Sequence, residues 1–154
     1  MNLSFKKQEL PFLSEVPIQD QSDTGRVYIS YGSNLNISQM AARAPSAQPL
    51  GAGYLVGWSL VFRRVADIRR GNKTDLLPIG FWKLKPSDEV ALDKYEGWPR
   101  VYRKVLINGL MTYLMNSDEL AEPTTQYYQT IEEGYRDFGL DLSFLEAARD
   151  KSIA

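Results

Sequence analysis

The segment Tyr31-Gly32-Ser33-Asn34-Leu35 follows the apolar-rich run Val27-Tyr28-Ile29-Ser30 and leads into Asn36-Ile37-Ser38-Gln39-Met40-Ala41-Ala42. A strand, a tight turn and a helix in that order expose backbone N–H groups at a helix N-terminus. Unpaired donors and the positive end of the helix dipole attract anions there. Gly32 permits a sharp turn and close approach of a ligand to the backbone. Ser33 and Asn34 are candidate helix caps or donors to a bound carboxylate. An ordinary capped turn would use the same residues, so the triplet alone does not decide.

A second candidate is Leu92-Asp93-Lys94-Tyr95-Glu96-Gly97. The predicted helix begins at Pro86-Ser87-Asp88-Glu89, with Val90, Leu92 and Tyr95 as its apolar residues, and ends at Gly97 and Pro99. Glu96 then sits at the helix C-terminus, where the last carbonyls disfavour a carboxylate. Apolar neighbours such as Tyr95 and Trp98 would raise its pKa further by desolvation. A surface glutamate on a short helix is the plainer alternative.

Composition sharpens that choice. The chain contains neither cysteine nor histidine. Disulfides, thiolate nucleophiles, a Ser-His triad and nearly every zinc site are thereby excluded. Acid–base chemistry near neutral pH falls to Asp, Glu, Tyr or Lys with a shifted pKa, and Glu96 is the best placed of these. A net charge of −1 argues against nucleic acid or an anionic membrane surface as the main partner. The basic cluster Arg63-Arg64 and Arg69-Arg70, interrupted by Asp67, reads as solvated loop and strand ends. No apolar run is long enough to span a bilayer, and Lys6-Lys7 breaks up any N-terminal secretory core. A soluble, cytoplasmic protein is the expectation.

Those residues need a scaffold. With 154 residues, 44% of them apolar, the chain suits one compact domain. Residues 1–25 are polar and carry Pro11 and Pro17, and read as an N-terminal arm. Its Phe5, Leu10, Phe12 and Leu13 are placed to dock on the domain or on a second subunit, which leaves a homodimer open. Residues 26–154 form the domain proper. Strands are predicted over 26–31, 53–64 and 78–84, with a loop over 66–75. Val101–Ile107 and Leu110–Met115 flank Asn108-Gly109, the pair favoured in a type I′ hairpin. A two-residue loop sets Ile107 opposite Leu110, Lys104 opposite Tyr113 and Tyr102 opposite Met115, so that Tyr102 and Tyr113 are diagonal neighbours on one face. Helices are predicted over 125–137 and 141–149, with a turn at Gly139. Trp58, Trp82 and Trp98 read as core and rim packing. The pattern is an α+β chain, mostly β with peripheral helices, small and barrel-like.

Tyr31-Gly32-Ser33-Asn34-Leu35 behind a first strand, and Leu92 to Gly97 roughly sixty residues later, resemble the γ-glutamylcyclotransferase family. So do Tyr102 with Val105 and Ile107, the return strand Tyr113-Leu114-Met115, and Thr125-Gln126-Tyr127 through Gly134 to Gly139-Leu140. These five blocks stand in family order over residues 26–150. The resemblance implies a small mixed β-barrel with peripheral helices, a polar cavity, and conversion of a γ-glutamyl amino acid or amine into 5-oxoproline and the free amine. It assigns Glu96 as general acid and base, and residues 28–33 (Tyr28, Ile29, Ser30, Tyr31, Gly32, Ser33) with Asn34 and Leu35 as the substrate loop. Tyr127 takes the place of a tyrosine that touches substrate, and Tyr102 and Tyr113 are further pocket candidates. Neither metal nor cofactor is implied, and the partner is a small γ-glutamyl compound. The Tyr-Gly-Ser-Asn-Leu turn resembles the branch acting on γ-glutamyl amino acids more than the γ-glutamylamine branch. The added arm and the end at Ala154 depart from it. A binding module for a small anion and an enzyme for a specialised γ-glutamyl conjugate remain as alternatives on the same fold.

Overall fold

A computed structural model describes residues 8–10 and 15–153. Phe5, Phe12 and Leu13 lie outside the described residues, as does the side chain of Leu10. A seven-stranded mixed sheet runs in the order β1-β4-β7-β3-β9-β8-β2. Its strands are β1 (Gln8–Leu10), β2 (Glu15–Ile18), β3 (Arg26–Ser30), β4 (Gln48–Val56), β7 (Leu76–Leu84), β8 (Tyr102–Ile107) and β9 (Leu110–Met115). Between β4 and β7, β5 (Trp58–Arg63) and β6 (Val65–Arg70) pair as a separate ribbon. Among the described residues there are four α-helices: α1 (Ile37–Arg43), α2 (Pro86–Glu96), α3 (Thr125–Phe138) and α4 (Leu142–Ile153).

The α+β class is as expected, but the barrel is not closed. Among the described residues the edge strands β1 and β2 do not pair with each other. Gly57, at φ 85°, turns the chain out of the sheet, so the predicted strand over 53–64 splits into the end of β4 and the start of the ribbon. The first half of the predicted loop over 66–75 is β6, with Ala66, Asp67 and Ile68 buried, and 71–75 is loop as expected. Within the arm, β1 pairs in parallel with β4, and β2 pairs antiparallel to β8.

The β8–β9 hairpin has the predicted register, with Ile107 opposite Leu110 and Lys104 opposite Tyr113. Asn108 and Gly109 both take positive φ, 54° and 76°, as a type I′ turn requires. Trp58 and Trp82 are buried in the core, and Trp98 packs against it. α3 docks an apolar stripe of Tyr128, Ile131, Tyr135 and Phe138. Its Gly134 lies so close to the turn after β3 that a Cβ there would sit 2.7 Å from the backbone of Leu35 and Asn36.

The second helix is anchored differently. Its buried residues are Asp88, Glu89, Leu92 and Asp93, while Val90 and Tyr95 are exposed. Of Val90, Leu92 and Tyr95 only Leu92 is buried, and ion pairs hold the helix to the sheet. Lys104, on β8, is 1% exposed. Its Nζ donates to Glu89 Oε2 and Asp93 Oδ2, each at 2.8 Å, and to the Asp20 carbonyl at 2.7 Å. The indole of Trp98 covers the ammonium at 4.0 Å. Arg26 Nε donates to Glu89 Oε1 at 3.1 Å, Gln21 Nε2 to Asp93 Oδ2 at 3.0 Å, and the Tyr113 hydroxyl to Asp93 Oδ1 at 2.6 Å. Each buried carboxylate thus has partners for both oxygens, the condition under which buried charge is tolerated. Replacing Lys104 by Met strands two carboxylates. Urea unfolding is expected to show a loss of about 3–5 kcal/mol; a loss within roughly 1 kcal/mol, the scale of an exposed pair, would contradict this account.

Candidate active site

β3 ends at Ser30, and the chain turns through Tyr31 and Gly32 into a 3-10 turn at Ser33–Leu35 before α1 begins at Ile37. The helix cap is Asn36, whose Oδ1 accepts from Gln39 N–H at 3.0 Å. Capping falls neither to Ser33 nor to Asn34, and the Asn34 side chain is released to face the cleft. Arg43 in the last turn of α1 reaches back to the same turn. It donates to Asn34 Oδ1 at 2.7 Å, to Ser33 Oγ at 3.3 Å and to Gln39 Oε1 at 2.8 Å, with its guanidinium 3.9 Å from the Tyr95 ring centre. An arginine on Oδ1 fixes the amide orientation, so Asn34 Nδ2 is the group presented inward. That nitrogen donates to the Tyr28 hydroxyl at 2.9 Å and to Glu96 Oε1 at 3.4 Å.

Glu96 is the last residue of α2, followed by Gly97 in the left-handed region at φ 69°. Its carboxyl is pushed up from 4.5 to about 7, chiefly by burial, with the Arg43 charge and the Asn34 hydrogen bond acting in the opposite sense. Of the two neighbours expected to desolvate it, Tyr95 is 48% exposed and Trp98 lies over Lys104. Tyr28, Tyr31, Tyr102, Tyr113 and Tyr127 line the space beside it.

A narrow cleft brings together Tyr28, Tyr31, Gly32, Ser33, Asn34, Ala66, Glu96, Tyr102, Tyr113 and Tyr127. It is tight, a cavity of about 20 Å³. Ile29, Ser30 and Leu35 do not line it. Ile29 and Leu35 are core residues, and Ser30 Oγ turns to the Gly80 carbonyl and the Trp82 indole N–H.

The five tyrosines divide by how their hydroxyls are used. Tyr31 donates to the Tyr113 carbonyl at 2.6 Å, Tyr102 to the Ala66 carbonyl at 2.7 Å, and Tyr113 to Asp93. These three are walls, their protons already engaged. Tyr28 instead accepts from Asn34, and Tyr127 accepts from Ala66 N–H at 3.0 Å with Ser33 beside it. Neither gives its proton to the backbone or to a carboxylate. Burial holds both phenols well above their ordinary range, so they remain O–H donors at any working pH. Tyr102 and Tyr113 form an edge-on pair 6.4 Å apart, and Tyr28 meets Tyr113 edge-on at 5.7 Å.

Several contributors were not singled out in the sequence. Lys104 shares strand parity with Tyr102, which marks it as inward-facing. Ala66 was hidden by the loop reading of 66–75. Arg43 carries no local signal. In the basic cluster Arg64, Arg69 and Arg70 are exposed as expected, whereas Arg63 pairs with buried Asp67 at 2.7 Å.

These features define a mixed α+β protein with a tyrosine-walled cleft around one half-buried carboxyl. Among solved structures, a γ-glutamyl cyclotransferase superposes with a TM-score of 0.68 at 27% identity, covering 81% of this chain and 86% of that one. A human protein described as uncharacterized protein loc79017 superposes at 0.67 with the same identity and coverage. YkqA of Bacillus subtilis, at 21% identity and 0.65, shares the fold over 84% of this chain and 55% of its own. No protein-family profile and no curated protein matches the chain by sequence. The chain has the γ-glutamylcyclotransferase-like fold. Among the described residues, no helix is long and apolar enough to cross a membrane.

The raised Glu96 pKa has a consequence for stability. Between about 4.5 and about 7 the folded protein retains a proton that the unfolded chain has lost, so stability falls as pH rises through this window. Glu96→Gln removes that dependence. The variant's advantage in Tm over the parent is expected to widen from pH 5 to pH 8, and an offset independent of pH would contradict a carboxyl raised by burial.

Proposed function

We propose that this chain is a γ-glutamyl cyclotransferase with Glu96 as general acid and base. The observation that carries the reading is a single carboxyl, raised to about 7, at the mouth of a cleft otherwise built of tyrosines and a glycine-led turn. The fold likeness to a γ-glutamyl cyclotransferase supports the same class.

In this mechanism the γ-glutamyl head enters with its α-carboxylate toward the turn. The N–H groups of Ser33 and Asn34 precede the first turn hydrogen bond, from Leu35 N–H to the Gly32 carbonyl, and face incoming negative charge. The substrate α-amine arrives as ammonium. Glu96 in its carboxylate form takes a proton from it, and the amine nitrogen attacks the γ-carbonyl carbon. The tetrahedral oxyanion is stabilised by O–H donors, for which Tyr28 and Tyr127 are placed. The Glu96 proton then passes to the departing nitrogen as the γ-amide C–N bond breaks and the carbonyl re-forms. The second proton of the ring nitrogen is lost to the departing amine, which leaves as ammonium. 5-Oxoproline and the free amine leave, with no water consumed. A tight cleft favours ring closure by holding a cyclisation-ready conformer.

Incubation with γ-glutamyl dipeptides and alkylamides is expected to release 5-oxoproline, detected by mass spectrometry. Glu96→Gln is expected to lower kcat by about 10²–10⁴-fold. The parent's kcat/KM should rise with pH to a midpoint near 7, because the carboxylate form starts the reaction. A flat profile from pH 5 to 9, or turnover unaffected by Glu96→Gln, would overturn the assignment. Tight binding without product from any substrate would favour a small-anion binding module instead.

A further inference from the structure

A second cavity, of about 340 Å³, is lined by the β5–β6 ribbon and the β8–β9 hairpin and shares no residue with the cleft around Glu96. Four arginines from three strands meet there: Arg63 on β5, Arg69 and Arg70 on β6, and Arg103 on β8. Arg63 is fixed in place, its side chain 8% exposed. Its Nε donates to Asp67 Oδ2 at 2.7 Å, and its Nη1 donates to the Asp118 carbonyl. Asp67 is fully engaged, since Oδ1 accepts from Met115 N–H at 2.9 Å. The other carboxylates of the lining, Glu15 and Asp118, form no ion pair among the described residues.

Arg69 and Arg103 therefore have no counter-charge of their own. Among the described residues Arg69 has no hydrogen-bond partner, and Arg103 uses one nitrogen, on the Met115 carbonyl at 3.0 Å. Arg70 stands with its guanidinium 5.2 Å from the ring centre of Trp58. Trp58 lines the same cavity and is 1% exposed, and its buried indole N–H has no acceptor among the described residues. The backbone of β6 adds a donor. Ala66 directs its N–H to Tyr127 and its carbonyl to Tyr102 rather than to β5. On a ladder without a bulge, Ile68 two residues on also turns its N–H away from β5, and it lines the cavity. Like charges gathered without carboxylates repel one another, and a buried donor without an acceptor opposes folding.

We propose that this cavity binds a small oxyanion of two or more negative charges, a phosphate or a polycarboxylate, held by Arg69, Arg70 and Arg103. Guanidinium forks match the oxygens of both groups. Glu15, Asp118 and the net charge of −1 oppose a long polyanion, so the ligand is compact. The site stands whether or not Glu96 is catalytic.

Isothermal titration calorimetry of the full chain with inorganic pyrophosphate, and separately with citrate, tests this. At least one of the two is expected to give a single saturable isotherm that weakens on added sodium chloride. The tighter of the two assigns the site to phosphates or to polycarboxylates. Arg69→Gln and Arg103→Gln, both at exposed positions, are each expected to weaken binding about tenfold or more. Arg136→Gln, exposed on α3 and outside the cavity, is expected to leave it unchanged. Absence of binding by both probes overturns the proposal. So does binding unmoved by Arg69→Gln and Arg103→Gln, or weakened as much by Arg136→Gln.

Discussion

The ammonium of Lys104 holds the site together from below. It is buried in the sheet between Glu89 and Asp93, two carboxylates one helical turn apart on α2. A helix whose Val90 and Tyr95 face solvent has little apolar area with which to dock, so its position depends on those charges. Asp93 extends the constraint upward, since its other oxygen accepts from Tyr113, a wall of the cleft. Three residues later the helix ends at Glu96. Lys104 therefore fixes where the proposed catalytic carboxyl stands without touching it.

Above that base, the chemistry follows from a chain without histidine. The fold must make a group that titrates near neutrality from a glutamate, and it does so by burial against tyrosines, while Arg43 and Asn34 keep the charged form within reach. If the arginine paired with Glu96 directly, the carboxyl would stay ionised and serve poorly as an acid. Arg43 instead holds Asn34, and Asn34 makes only a long contact of 3.4 Å to the carboxyl. That intermediate strength is what a group needs if it must both take and return a proton.

The parts of this arrangement that were legible in sequence are those set by local chemistry. Asn108-Gly109 fixed the hairpin register, and with it the facing pair Lys104 and Tyr113. Gly97 marked the end of α2, and with it the position of Glu96. The turn at Gly32–Asn34 was visible, but the cap was shifted, because Asn36 competes for the helix N-terminus and wins. The features that escaped depend on distant partners. Ala66 to Arg70 reads as part of a loop because charges and Gly71-Asn72 obscure a ribbon strand, and only tertiary pairing with β5 makes it regular. The docking of α2 through charge escaped too, because nothing local shows that Lys104 awaits Glu89 and Asp93 there. The barrel-like expectation also missed the outcome, since among the described residues the sheet stays open at β1 and β2 while β5 and β6 pair apart from it after Gly57.

The central claim is that Glu96 titrates near neutrality because the fold buries it. Carbon-13 NMR titration of the glutamate side-chain carboxyls, with the Glu96 resonance assigned by its loss in Glu96→Gln, measures this without any substrate. The expected midpoint is about 7, moving higher in Arg43→Met, where the opposing positive charge is gone. A midpoint near the ordinary 4.5, unmoved by that substitution, would contradict the account.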